Sequence, residues 1–172
     1  MLEFILLGFL KYGEMSGYQL KQCMAESTSN FFDASFGSIY PALAKMEKRG
    51  AITVRGVVEG GKYKKLYSIT KEGAEEFMRW LKGPIHFSKI RPDHLVHIFF
   101  YGFLPKETAL FNLNQFILKV SEVMDNLKKQ GGDVDCKADG YMFSTLRFGI
   151  DYYSLIISWC EDLIKKIEGG GL

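Results

Sequence analysis

The sequence predicts a mainly α protein with one small β-hairpin, folded as two domains. Three observations carry this. Apolar residues recur at helical spacing, as at Ile39, Leu43 and Met46. Across residues 51–70 the pattern changes to two runs rich in β-formers, separated by the turn formers Glu59-Gly60-Gly61. Gly83-Pro84 then breaks the chain, and the remainder reads as almost all helix.

Taken in order, residues 4–10 form a short apolar helix ending near Gly13. Ser16 caps a second helix over 17–27, with Leu20 and Met24 four apart on one face. Turn formers fill 27–35, where Phe31 and Phe32 are expected to enter the core. A third helix starts between Ser35 and Ser38, either of which can cap it. Pro41 is expected in its first turn, where a missing N–H costs nothing. Gly50 follows Lys48-Arg49 as a C-terminal glycine after a basic last turn. Strands over 51–58 and 62–70 lead to a fourth helix capped by Thr70, with Phe77, Trp80 and Leu81 as its apolar face. Helix, helix, helix, hairpin, helix is the order of a winged helix-turn-helix, assigned to residues 1–83. Residues 84–172 are expected to form an all-helical dimerisation domain. It comprises a segment over 92–103, a long helix over 105–130 with apolar residues at Phe116, Val120, Val123 and Leu127, a loop from Gly131, and a last helix over 138–167.

Composition is ordinary for a globular chain, at 47% hydrophobic and 24% charged, and the formal net charge is only +2. The distribution says more. Residues 45–65 hold seven Lys/Arg against two Asp/Glu, a local +5 able to attract phosphate; a solvated basic loop is the plainer reading of charge alone. The three cysteines, Cys23, Cys136 and Cys160, are too scattered for a disulfide framework or a zinc site. The opening run from Leu2 to Leu10 lacks a basic flank, contains Glu3 and is too short to span a bilayer. The expectation is a cytoplasmic protein with reduced thiols and no membrane contact.

Several short stretches together resemble the PadR family of bacterial transcription regulators. They are Ser35-Phe36-Gly37-Ser38-Ile39-Tyr40-Pro41-Ala42-Leu43, Met46-Glu47, Gly50-Ala51-Ile52, and Tyr67-Ser68-Ile69-Thr70 with Gly73. Gly17-Tyr18-Gln19-Leu20 is similar to the family's second-helix signature. The second half, with Leu146, Gly149, Tyr152 and Trp159, looks like the helical C-terminal domain of the longer members, including the virulence activators. The resemblance implies a sequence-specific, dimeric DNA-binding regulator of transcription, with operator DNA as partner and repression as the expected sense. In some members it further implies an aromatic or phenolic small-molecule effector; others are activators. The chain departs from the family in its wing, where Lys64-Lys65 stands in place of a common arginine. Lysine neutralises phosphate as a point charge but makes no bidentate fork.

Helical geometry makes Ser38, Ala42 and Lys45 the base-facing candidates, with Ser35 and Gly37 exposing free N–H groups to phosphate. Lys48 and Arg49 extend the basic end of the helix. Lys62, Lys64 and Lys65 would lie along the flanking backbone or minor groove. By the resemblance Tyr40 contacts the DNA backbone or supports the helix, against a reading as a core tyrosine. The aromatic and aliphatic residues of the last helix exceed what one neighbour can bury, so Phe148, Tyr152, Tyr153, Ile156 and Trp159 are expected at a homodimer interface. Trp80 and Trp159 are the candidates to line an effector pocket between the domains.

Two other classes compete. An enzyme would need a catalytic set, and the sequence offers only Asp93, His94 and His97 at helical spacing, weak support for a metal site. No catalytic residue, metal or cofactor is therefore assigned. A winged helix that binds proteins and not DNA is the second, and the +5 segment speaks against it.

Overall fold

The computed structural model describes residues 1–29, 31–59, 62–85, 93–132 and 139–171. The chain divides into two compact units, Met1–His86 and Phe87–Leu172.

Unit 1 opens with α1 (Leu2–Leu10), a two-residue strand β1 (Met15–Ser16), α2 (Gly17–Ser27) and α3 (Phe36–Lys48). Strands β2 (Ile52–Glu59) and β3 (Lys62–Ile69) make the hairpin, and α4 (Lys71–Leu81) closes the unit. Ser16 caps α2 in a full capping box: the Gln19 N–H donates to Ser16 Oγ at 3.2 Å, and the Ser16 N–H donates to Gln19 Oε1 at 2.8 Å. Strand β1 was not foreseen. It is too short to show alternation, and exists because β3 offers it a free edge, pairing Met15 with Tyr67 and Ser16 with Leu66 in the order β1-β3-β2.

The core of unit 1 is drawn from every element. Leu6, Leu7 and Leu10 of α1, Leu20 and Met24 of α2, and Ile39, Leu43 and Met46 of α3 are buried against Ile52 and Tyr67 of the hairpin. Each such side chain contributes about 1.5–3 kcal/mol on burial. Phe4 stacks on Trp80 with ring centroids 4.7 Å apart, and Phe77 leans on the same tryptophan. Three expectations need correction. Phe31 is exposed, and only Phe32 packs on the core. Leu81 is the last residue of α4 and is exposed. Pro41 is the sixth residue of α3, beyond the first turn, so the Gly37 carbonyl lacks its usual donor four residues on. Both residues are exposed, where water can satisfy that carbonyl.

The exit from α3 is closely specified. Gly50 has φ +77°, the Gly50 N–H donates to Glu47 O at 2.9 Å, and the Ala51 N–H donates to Met46 O at 3.0 Å. These two bonds make a Schellman motif, whose left-handed residue favours glycine. The chain then turns directly into β2, which fixes the angle between α3 and the hairpin.

Unit 2 contains α5 (Asp93–Phe99), a 3₁₀ turn (Tyr101–Phe103), α6 (Lys106–Gly132) and α7 (Gly140–Glu168). Helix α6 runs through Gly131 and Gly132, which the sequence assigns to a loop. Asp139 caps α7 by accepting from the Tyr141 and Met142 N–H groups at 2.9 and 3.0 Å. Helices α6 and α7 form an antiparallel pair. Lys106 at the start of α6 donates to the Glu168 carbonyl at the end of α7, and Ser154 meets Met124 midway. Ala109, Leu113, Val120 and Leu127 are the buried residues of α6; Val123 is exposed.

Candidate DNA-binding interface

The buried stripe of α3 leaves its opposite face to solvent, and that face holds most of the candidate residues. Ser35, Gly37, Ser38, Tyr40, Lys45 and Lys48 are all exposed. Ser35 occupies the N-cap position with extended backbone angles, while its side chain makes no capping bond. Ser38 Oγ instead donates to the Ser35 carbonyl at 2.8 Å. The first turn therefore keeps N–H groups free of side-chain partners, as an anion site requires. Ala42 leaves the set. It sits one position before Leu43 and three after Ile39, so it packs against the core and is half-buried.

The cations divide by role. Lys45 Nζ lies 3.0 Å from Glu3, yet its side chain is 72% exposed and open to a second anion. Arg49 does not share that freedom. Its guanidinium donates to Glu3 of α1 and, at 3.0 Å, to Glu76 of α4, tying three helices together. Partial burial pushes the Glu3 carboxyl up, but hydrogen bonds and charge from Arg49 and Lys45 overcome it and hold Glu3 below the usual carboxylate range. Arg49 is therefore a structural cation, and the sequence, in which it merely follows Lys48, gave no sign of this. Arg49→Ala is expected to destabilise unit 1 by about 1–3 kcal/mol, since it removes the cation that ties Glu76 to Glu3 and leaves Glu3 with Lys45 alone. Thermal unfolding followed by circular dichroism checks this.

In the hairpin, Val57 pairs with Lys64 and Gly56 with Lys65. Lys65 is exposed and Lys64 half-buried; Lys62 begins β3, and its side chain lies outside the described residues. Arg55 is bound to Glu14 in the α1–β1 connection, its Nε 2.8 Å from the carboxylate, which braces the base of the wing. That hydrogen bond also holds Glu14 below the usual carboxylate range.

Helix α7 separates the expected dimer residues into two stripes. Tyr153 and Ile156 align at helical spacing with the buried Gly149 and Cys160. Phe148, Tyr152 and Trp159 fall on a neighbouring stripe, where Phe148 is 65% exposed. Leu155, 67% exposed, belongs to the same stripe and was missed, although its spacing of seven from Phe148 and four from Trp159 marks it.

A cavity of about 230 Å³ lies within unit 2, lined by His94, His97, Ile98, Tyr101, Leu113 and Phe116. Neither Trp80 nor Trp159 lines it; Trp80 is committed to its stack on Phe4. The His94 ring lies 5.0 Å from that of Phe116. Among the described residues no group of three or more His, Cys, Asp or Glu is placed to hold a metal ion. Also among them, no helix is long and apolar enough to cross a membrane.

A helix-turn-helix with an exposed second helix, followed by a basic two-stranded wing, defines a winged-helix DNA-binding protein of the transcription-regulator class. Residues 6–79 match the Transcriptional regulator PadR-like family, and residues 90–168 match the Virulence activator alpha C-term family. Residues 6–79 are thus a PadR-like transcriptional regulator domain, and proteins of that family are DNA-binding regulators and not enzymes. It is 26% identical over 178 residues to the Negative transcriptional regulator PadR of Bacillus subtilis (strain 168), covering 97% of each chain. The structure of Bacillus subtilis PadR in complex with operator DNA matches with a TM-score of 0.87 at 25% identity, over 96% of this chain and 98% of that one. The same Bacillus protein in complex with p-coumaric acid matches with a TM-score of 0.78 at 23% identity, over 97% and 94% of the two chains.

Proposed function

We propose that this chain is a cytoplasmic, homodimeric repressor that binds operator DNA through α3 and the wing and is released by an aromatic acid of the phenolic type. The winged-helix domain is residues 1–83 and the dimerising domain residues 84–172. One observation carries the DNA reading: the solvent face of α3 ends in exposed Lys45 and Lys48 and is followed by a wing carrying exposed Lys65. The related Bacillus protein, matched along nearly its whole length, is a negative regulator seen on operator DNA. The base readers are Ser38 and its neighbours in the first turns of α3; Tyr40, Lys45, Lys48, Lys64 and Lys65 contact phosphate. Dimerisation uses the outer stripe of α7, Phe148, Tyr152, Leu155 and Trp159.

The effector belongs in the unit 2 cavity. Its volume suits a single-ring molecule, and its lining combines apolar Ile98, Leu113 and Phe116 with the polar side chains of His94, His97 and Tyr101. The Bacillus relative's complex with p-coumaric acid supplies the chemical class.

The test is fluorescence anisotropy with the DNA upstream of the protein's own gene, over a range of salt. Each phosphate contact contributes about 0.9 to the slope of log affinity against log salt. Lys48→Ala with Lys65→Ala removes four cations from a dimer and is expected to lower that slope by about 3.6, equally for all sequences. Arg49→Ala is expected to leave it unchanged. Added p-coumaric acid is expected to weaken binding. An unchanged slope in the double variant contradicts the interface, and affinity indifferent to the acid contradicts the effector assignment. Absence of binding even at low salt favours the protein-partner reading.

A further inference from the structure

The first turn of α3 carries an exposed aromatic that the reading above leaves unused. Phe36 is its first residue and is 42% exposed. It stands in a ladder. Tyr18, the second residue of α2, lies 6.4 Å from Phe36 with the rings 14° from parallel, and Tyr40 lies 6.1 Å away on the other side at 20°. Tyr18 and Tyr40 are also exposed, at 66% and 49%. The ladder is held from behind. Tyr40 lies against the start of α2 so closely that a Cβ added at Gly17 would fall 2.6 Å from Tyr40 Cε1. Lys21 of α2 clamps Asp33 at 2.7 Å, and Asp33 accepts from the Ala34 N–H at 2.7 Å, fixing the chain just ahead of α3.

Three large rings on the surface, beside a filled core, need a reason. Phenylalanine has no hydrogen-bonding group, so Phe36 cannot read a donor or acceptor on a base. The N-terminal residues of a recognition helix are the ones that reach base edges. The apolar group displayed in the major groove is the C5-methyl of thymine, and contact with it by an apolar or aromatic side chain is an established mode of readout. The flanking tyrosines keep the ring at one orientation, and their hydroxyls suit the adjacent phosphates.

We propose that Phe36, stacked between Tyr18 and Tyr40, is a specificity-determining residue that recognises the methyl group of one thymine in each operator half-site. This rests on α3 being the DNA-contacting helix. The test replaces thymine by deoxyuridine, which removes the methyl and leaves Watson–Crick pairing intact, at one symmetric pair of positions at a time in a bound duplex. Wild type is expected to lose about fourfold in affinity per half-site at one position only, roughly fifteenfold for both half-sites, as the transfer free energy of one methyl dictates. Phe36→Ala is expected to bind thymine and deoxyuridine duplexes equally, and Phe36→Leu to keep part of the difference. If Phe36→Ala binds too weakly to compare, the Phe36→Leu difference decides. Wild-type binding indifferent to deoxyuridine at every position overturns the thymine contact while leaving the α3 interface standing. So does an undiminished preference in both variants. Failure of wild type to bind any duplex overturns both.

Discussion

Gly73→Ala is expected to cost unit 1 about 3 kcal/mol or more and to lower its melting temperature by at least about 12 °C. Gly73 is in the first turn of α4, where it passes directly over the chain leaving α3. A Cβ there would lie 2.0 Å from the Ala51 carbonyl oxygen and 2.9 Å from its carbon, both backbone atoms. That carbonyl cannot easily withdraw. It accepts from the Thr70 N–H at 3.1 Å, while Thr70 Oγ1 donates to the neighbouring Gly50 carbonyl at 2.7 Å, lies 3.1 Å from that of Ala51, and caps α4 by accepting from the Gly73 N–H at 3.0 Å. Moving Ala51 therefore breaks hydrogen bonds of about 1 kcal/mol each and loosens a cap of similar worth. It also disturbs the Schellman exit at Gly50. Against a typical domain stability of 5–15 kcal/mol this is a large fraction. Differential scanning calorimetry measures it, and a melting point within about 2 °C of wild type would show that the two segments separate freely.

Leu155→Asp is expected to yield a folded monomer whose operator affinity falls by two orders of magnitude or more. Leu155 is on the solvent side of α7, so the substitution removes little from the fold of the chain itself. In the dimer proposed here it places a carboxylate at the centre of a desolvated stripe, between Phe148 and Trp159. Central anchors of such interfaces are typically worth 2–4 kcal/mol, and an unpaired buried charge adds to the loss. DNA binding falls with it, because each winged helix alone covers one half-site. Light scattering and anisotropy on the same sample measure both effects. A dimer with wild-type affinity would place the interface elsewhere.

Much of unit 1 was legible because its signals are local. Ser16 and Thr70 are caps, Gly50 is a terminal glycine after a basic turn, and Ile39, Leu43 and Met46 repeat at helical spacing. The hairpin declared itself by its change of period. What could not be read were features created by the third dimension. Strand β1 depends on the edge of β3. Arg49 looks like the last of a basic run until α1 and α4 bring Glu3 and Glu76 to it. Ala42 and Leu155 show the limit of reading a face from helical spacing within one element. Ala42 falls at the margin of the buried stripe of α3, and Leu155 is exposed beside Phe148 and Trp159 on α7. The ladder of Tyr18, Phe36 and Tyr40 joins two helices, and no spacing within either one announces it.

In the proposed dimer two copies of α3 read two half-sites on one face of a duplex. Selection of bound sequences from a random DNA pool is expected to enrich an inverted repeat whose half-sites are centred about 10 base pairs apart, or a multiple of that. Enrichment of a single unrepeated site, or none above a salt-sensitive background, would rule out this mode of binding.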